Sequence, residues 1–158
     1  MANTVKQIIN PDEKETICRE LLTVLPEWKG FPGDIGEYAA RCRMIPLWAD
    51  IDDDEKISLR GFLALKETSP CAAEIYVMGI RGEFERRKVG KGLMTAMMSY
   101  ARRQGYEYLQ VKTVKSGVSP EYDSINVFYQ SLGFRKLEVL QLWGAELPCQ
   151  IYIRNVNF

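Results

Sequence analysis

The chain contains no histidine. That absence excludes Ser-His-Asp and Cys-His catalysis, H-E-x-x-H zinc sites and histidine general bases. In any enzyme built from this chain, Glu, Asp, Tyr, Lys, Cys or water moves the protons. Cysteine is sparse: Cys18, Cys42, Cys71 and Cys149 are the four present, and no two stand at C-x-x-C spacing. No metal-ligand pattern follows from them, no metal is expected, and free thiols in a reducing cytosol are the expectation. There is no excess of either charge, since 21 basic residues face 21 acidic ones. No global field therefore draws the protein to nucleic acid or anionic lipid, and any attraction to phosphate must be local. No apolar run approaches the roughly 20 residues of a membrane span. The first residues lack the basic, apolar and small-residue pattern of a secretory signal. A cytoplasmic protein with no membrane and no nucleic-acid partner is expected.

The two commonest phosphate loops are also missing, since neither G-x-x-x-x-G-K-[ST] nor G-x-G-x-x-G occurs. What stands in their place is the stretch Ala73 to Ala101. Ala73-Glu74-Ile75-Tyr76-Val77-Met78-Gly79-Ile80 is apolar and strand-like. Arg81 to Lys91 then holds five basic and two acidic residues with glycine among them. Val89, Leu93, Ala96, Met97 and Tyr100 follow at helical spacing on one face. A strand thus enters a basic turn that opens a helix. The first turn of a helix presents free amides and the positive end of its dipole, so an anion, and a phosphate above all, can sit there.

At 158 residues one domain, 1–158, is expected. The rest of the chain reads in order. Residues 3 to 9 form a short strand. A helix opens at Pro11-Asp12, buries Ile17, Leu21, Leu22 and Leu25, and stops at Pro26. Trp28 and Phe31 follow in a Gly/Pro-broken stretch, read from the residues as a cap on the core. A second helix runs from the region of Pro32 to Ile35 as far as Arg43. Strands are expected over Ile45–Ile51 and Ile57–Lys66, with the acidic run Asp52 to Glu55 as a solvated hairpin turn. Thr68-Ser69-Pro70 turns the chain into the central strand, Glu74–Ile80. Gly105 closes the central helix and Tyr108–Val114 is a strand. Glu121–Leu132 is a helix ended by Gly133. Strands from Phe134 to about Leu142 and from Cys149 to Val156 complete the chain.

The central stretch resembles the acetyl-CoA-binding core of the GCN5-related N-acetyltransferases: a strand, [QR]-x-x-G-x-[GA], then a helix. Arg87-Lys88-Val89-Gly90-Lys91-Gly92 matches literally. Counted from the strand, the family's valine falls on Ile80, its Glu-aromatic pair on Glu83-Phe84 and its apolar pair on Val89 and Leu93. The motif then starts at Glu85, with Lys88 at the first glycine position and Gly90 at the second. Both registers place a pyrophosphate here and leave open which amides line it. Phe128-Tyr129-Gln130-Ser131-Leu132-Gly133-Phe134 resembles the family's F-Y-x-x-L-G-F junction. The family's asparagine, seven residues before that tyrosine, falls on Tyr122 and is not carried over to Asn126. Leu142-Trp143-Gly144 with Pro148-Cys149 is similar to a bacterial branch without an assigned substrate.

The resemblance implies an α/β acyl-CoA N-acyltransferase fold: a mixed, mostly antiparallel twisted sheet with helices on both faces. Its parallel strands Glu74–Ile80 and Tyr108–Val114 part to form a cofactor cleft. It implies acetyl transfer from acetyl-CoA to a primary amine, on a small molecule or a protein, by a monomer or homodimer. It places the cofactor on Met78, Gly79, Ile80, Arg86, Arg87, Lys88, Val89, Gly90, Lys91, Gly92 and Tyr129. The phenol of Tyr129, protonated at neutral pH with an ordinary pKa of about 10, can serve the leaving thiolate, or the ring can be core packing alone. Glu74, the carboxylate within the central strand, alternates with Tyr76 and Met78; it is a base acting through water, or a strand-end charge in solvent. A cofactor-binding regulatory module without turnover, and a nucleic-acid-binding domain using Arg81 to Lys91, are the other readings.

Overall fold

The computed structural model describes residues 3–82 and 86–157. The elements are β1 (Val5–Ile8), α1 (Pro11–Val24), a 3-10 turn (Pro26–Trp28), α2 (Ile35–Cys42), β2 (Leu47–Ile51), β3 (Leu59–Ser69), β4 (Ala72–Ile80), α3 (Arg86–Gln104), β5 (Tyr108–Val114), α4 (Pro120–Ser131), β6 (Arg135–Leu140) and β7 (Cys149–Asn155). The strands form one seven-stranded sheet in the order β1-β2-β3-β4-β5-β7-β6. The β4–β5 pair is parallel. The β1–β2, β2–β3, β5–β7 and β6–β7 pairs are antiparallel. This is the mixed, mostly antiparallel sheet with helices expected of an acyl-CoA N-acyltransferase. The chain packs as two compact units, Met1–Lys66 with Tyr76–Tyr100, and Glu67–Ile75 with Ala101–Phe158.

In the first unit, α1 starts where the Asn10 side chain accepts from the amides of Asp12 (2.9 Å) and Glu13 (3.1 Å). Pro11 costs nothing at the first helical position, where its missing N–H would have had no partner. Ile17, Cys18, Leu21 and Leu22 face inward and join Leu25, Ala39, Cys42, Leu47, Phe62 and Val77 in the core. Burying each large aliphatic side chain contributes about 1.5–3 kcal/mol. Cys18 and Cys42 are neighbours in that core, and a hydrogen bond to Cys42, then burial, push the Cys18 thiol up. All four cysteines are free.

Several expected boundaries move, each for a local reason. β2 begins at Leu47 rather than Ile45, because the Ile45 carbonyl accepts from Lys14 Nζ at 2.8 Å. The β2–β3 register shifts between Asp50 and Ile51, so β3 starts at Leu59 and Ile57 stays exposed. β3 then runs on through Thr68 and Ser69, and the turn falls at Pro70-Cys71. The acidic run is a turn as expected, with Glu55 N on Asp52 O at 3.0 Å and Asp54 N on Asp52 Oδ1 at 3.1 Å. The largest change is α3. It begins at Arg86, so Lys88 to Gly92 is helix and not turn. Burial of Val89 and Leu93 along its inner face offsets the helix cost of Gly90 and Gly92, about 1 kcal/mol each.

In the second unit, residues Ala72–Ile75 of β4 pair with Tyr108–Val111 of β5. The Ser119 side chain caps α4, accepting from Tyr122 N at 3.4 Å. Gly133, at φ +90°, ends the segment in a conformation that favours glycine. Asn126 ties this unit together. Its Nδ2 donates to Val114 O and Tyr122 O, both at 2.8 Å, and its Oδ1 accepts from the Tyr152 hydroxyl at 2.5 Å. Asn126 is buried, so the Val114 carbonyl and the Tyr152 hydroxyl would each lose this partner away from water, whereas the Tyr122 carbonyl is also served by the helical amide one turn on. Asn126→Leu is expected to destabilise the protein by about 2–5 kcal/mol, since an orphaned buried polar group costs about 1–3 kcal/mol. Tyr152→Phe should cost less, and the double variant less than the two together, because they share one bond. Urea unfolding of the three variants measures this; additive losses would mean that the two residues act separately.

Candidate active-site residues

The first unit holds the end of β4 and most of α3. Gly79 is buried, and a Cβ there would lie 2.5 Å from Leu25 Cδ1 and 3.2 Å from Phe62 Cε1. Its missing side chain thus makes room for the α1 side of the core. Ile80 is buried and Met78 half-buried. Arg81 takes its place in the frame of the turn. Its amide donates to Arg60 O (2.9 Å), its Nε to Leu59 O (2.7 Å) and its Nη2 to Glu20 Oε2 (3.3 Å). One of the five basic residues counted in the sequence is therefore bound to the protein itself.

Glu83, Phe84 and Glu85 of the aligned motif lie outside the described residues, as do the side chains of Arg86 and Arg87. The backbone of α3 separates the remaining positions. In a helix that begins at Arg86, the amides of Arg86, Arg87 and Lys88 have no carbonyl four residues back within the helix. The amides of Gly90, Lys91 and Gly92 point back at the carbonyls of Arg86, Arg87 and Lys88. Lys88 and Lys91 are exposed and Gly90 is buried. Val89 is buried too, with its Cγ1 3.0 Å from where a Cβ on Gly61 would stand. A Cβ on Gly92 would meet Val5 Cγ2 at 3.3 Å, so this glycine serves the packing of α3 on β1. Amides without a partner inside the helix, the positive helix end and two exposed lysines meet at the first turn, an arrangement that suits an anion.

Trp28 and Phe31 belong to a row of half-buried rings in this unit. Trp28 meets Phe31 and Tyr38 edge-on at 4.9 Å, and Tyr38 lies 5.0 Å from Tyr76. Trp28, Tyr38 and Tyr76 pack against the core cluster, as the cap reading expects. Burial pushes the Tyr76 phenol up.

The second unit holds Glu74 and Tyr129. Glu74 is not in solvent. It is 6% exposed, and its Oε2 accepts from Lys112 Nζ at 2.9 Å. The parallel register pairs Glu74 with Gln110, which brings Lys112, two residues on, within reach. Alternation in β5 put Lys112 on a face, but only the strand register could name its partner. Beside this pair Cys149 is buried, and desolvation pushes its thiol up. Tyr129 is 6% exposed near the end of α4. Its ring lies 5.4 Å from Phe128, 5.7 Å from Phe134 and 6.4 Å from Tyr152. Its carbonyl accepts from the amides of Leu132 and Phe134, both at 3.1 Å, which locks the helix end. Among the described residues no group of three His, Cys, Asp or Glu could hold a metal, and no helix is long and apolar enough to cross a membrane.

No curated protein matches the chain. Solved structures do. An aminoglycoside 6'-acetyltransferase type Ii superposes with a TM-score of 0.76 at 17% identity, covering 96% of each chain. An aminoglycoside 6'-N-acetyltransferase complexed with coenzyme A gives 0.74 at 16%, again over 96% of each. A putative acetyltransferase from Salmonella typhimurium with its cofactor acetyl-CoA gives 0.66 at 13%, over 98% of this chain and 95% of that one. At such identities the likeness is one of fold. The family model of the acetyltransferase (GNAT) domain matches residues 46–136, more than half of the chain. That span contains β4, α3, β5 and α4, and on this evidence the chain belongs to the GNAT acetyltransferases.

Proposed function

We propose that this protein transfers the acetyl group of acetyl-CoA to a primary amine by direct attack of the amine on the thioester. One observation carries the reading: in the segment matched by the family model, α3 opens at a run of basic residues directly after β4. Its first-turn amides, with Lys88 and Lys91 exposed beside them, suit the pyrophosphate of CoA. We assign the pyrophosphate contacts to the amides of Arg86, Arg87 and Lys88 and to the basic side chains of this turn. Gly90 serves by having no side chain. Acetyl-CoA supplies an activated acyl group whose sulfur leaves as thiolate.

The protein's part is to bind, to orient and to manage protons. Charge develops on the carbonyl oxygen during attack, and a backbone amide at Met78 to Ile80 is the proposed donor. The attacking amine must be neutral. Glu74 is the proposed base; its burial requires an intervening water, and its Oε2 is engaged by Lys112, so the second oxygen receives the proton. Tyr129 donates to the departing sulfur. Its buried ring and locked helix end hold the phenol in one place, the condition for a positioned acid.

Gly90→Val is expected to weaken acetyl-CoA binding at least tenfold, about 1.4 kcal/mol, in calorimetry, with the thermal midpoint checked alongside. Unchanged affinity would remove this turn from the site. Tyr129→Phe keeps the ring and deletes the proton. General acids contribute about 10² to 10⁴ in rate, and thiolate leaves readily, so kcat should fall roughly 10- to 100-fold. Acetyl-CoA affinity should change less than about threefold, because the lost contact matters as charge builds on sulfur. Wild-type kcat across the pH range would reduce Tyr129 to packing. Glu74→Gln should lower kcat by about 10²-fold or more, and a wild-type kcat would place the base elsewhere or in bulk water.

A further inference from the structure

In the second unit, the sheet face that carries Glu74 brings both signs of charge together beside apolar side chains. The parallel register sets Glu74 opposite Gln110, and Lys112 follows two residues on. Across the antiparallel pairs, Gln110 stands opposite Ile153 and Lys112 opposite Ile151. Cross-strand partners share a face, as do residues two apart, so these five side chains lie together. Tyr152, on the other face, donates to Asn126 of α4. Ile151 is buried, whereas Gln110, Lys112 and Ile153 are half-buried and reach solvent. Farther out on the Glu74 face, Arg135 stands opposite Ile153 and Glu138 opposite Ile151.

Glu74 and Lys112 pair with each other, and the pair does not exhaust either of them. An ammonium carries three N–H donors. One of those on Lys112 goes to Glu74 Oε2 at 2.9 Å, and no other described residue accepts from this side chain. The Lys112 side chain is 34% exposed. Glu74 keeps a second oxygen, Oε1, that accepts from no described residue. An open set of donors and an open acceptor, opposite in charge, therefore stand side by side. A simple amine docked here would match the carboxylate and bring its own positive charge against Lys112. An anion would match Lys112 and be repelled by Glu74. A ligand with both signs on neighbouring atoms matches both, and charge complementarity of that kind sets specificity. In an α-amino acid the ammonium and the carboxylate hang from one carbon, which suits a protein pair in hydrogen-bond contact.

We propose that this face binds a free α-amino acid with an apolar side chain as the acceptor. Its carboxylate rests on Lys112 Nζ, its amine faces Glu74 Oε1 through the intervening water, and its side chain lies against Ile153. The proposal rests on the acetyl-transfer reading in taking Glu74 as the base, and it makes Lys112 the residue that sets the acceptor class. Glu74 takes a proton from the bound ammonium by way of the water. The neutral amine then attacks: the C–N bond forms, the C–S bond breaks, nitrogen gives its second proton to solvent and sulfur takes one from Tyr129. The N-acetyl amino acid and CoA leave, and solvent restores Glu74 and Tyr129.

The test uses the full chain and three probes that share an amine and an alkyl body and differ in the carboxylate: L-leucine, L-leucinamide and 3-methylbutylamine. Backbone amide shifts in nuclear magnetic resonance, with CoA present, read binding without turnover. Rates with acetyl-CoA read the acceptor class. L-leucine is expected to shift the amides of Lys112, Ile151 and Ile153 and to show kcat/KM at least about tenfold above the other two. Lys112→Met should bring the three probes within about threefold of one another. Lys112→Arg keeps a cation beside Glu74 and should keep leucine ahead. An ion pair with a structural role alone would lower all three rates together in Lys112→Met and leave their order unchanged. Equal use of the three probes, or no shift at those amides at about 10 mM leucine, would overturn the proposal, as would leucine preference undiminished in Lys112→Met. Acetylation of 3-methylbutylamine but not of leucine would overturn it and leave acetyl transfer standing. Leucine shifts at those amides with no thiol release would support the amino-acid site and count against the transfer.

Discussion

A close approach of backbone to side chain underlies the candidate anion site. Gly61 in β3 leaves a space that Val89 of α3 enters, and a Cβ there would stand 3.0 Å from Val89 Cγ1 and 3.1 Å from Gly79 O. Because Val89 sits in the first turns of α3, this packing sets how near the start of the helix lies to β3 and the end of β4. Arg81 fixes the exit of β4 through Leu59 O and Glu20. Gly92 lets the next turn settle on Val5. The first turn of α3, which carries the amides of Arg86 to Lys88, is thus positioned by the packing of the core. An anion site made of backbone donors needs that arrangement, since donors already in place need not reorganise when charge arrives.

The second unit uses buried polar groups for the same end. Lys112 meets Glu74, and Asn126 meets Val114, Tyr122 and Tyr152, across strands and helix. An ion pair with one partner buried and the other half-buried is weak evidence for stability, since desolvation can exceed the Coulombic gain. Its value here is positional: it fixes one carboxylate oxygen on β4. The Asn126 bonds likewise fix α4, and with it the Tyr129 ring, against the end of β5.

Much of this could be read from the residues. The bounds of β5, the cap-and-proline opening of α1, the stop at Gly133 and the F-Y-x-x-L-G-F junction were legible because each depends on local chemistry. The GNAT family and its fold followed from two motifs in order. The start of α3 was not legible. The residues before Arg86 offer no Ser, Thr, Asp or Asn to cap a helix, and the glycines inside it read as a turn. Glu74 illustrates the other limit. A carboxylate near a strand end looks solvated until the parallel register brings Lys112 to it, and registers between strands far apart in sequence leave no local trace. Asn126 was passed over because the family's asparagine falls on Tyr122 by count, and two of its three partners, Val114 and Tyr152, come from β5 and β7.

The central claim is that this chain transfers the acetyl group of acetyl-CoA to an amine. The most direct measurement is release of free CoA thiol from acetyl-CoA by the wild-type protein across a panel of polyamines, amino acids, aminoglycosides and peptide amines. Mass spectrometry of each acceptor accompanies it. Amine-dependent thiol release matched by a single added acetyl group on nitrogen is the result expected. Tight acetyl-CoA binding with no thiol release above the amine-free rate for any acceptor would contradict the account and leave a cofactor-binding module.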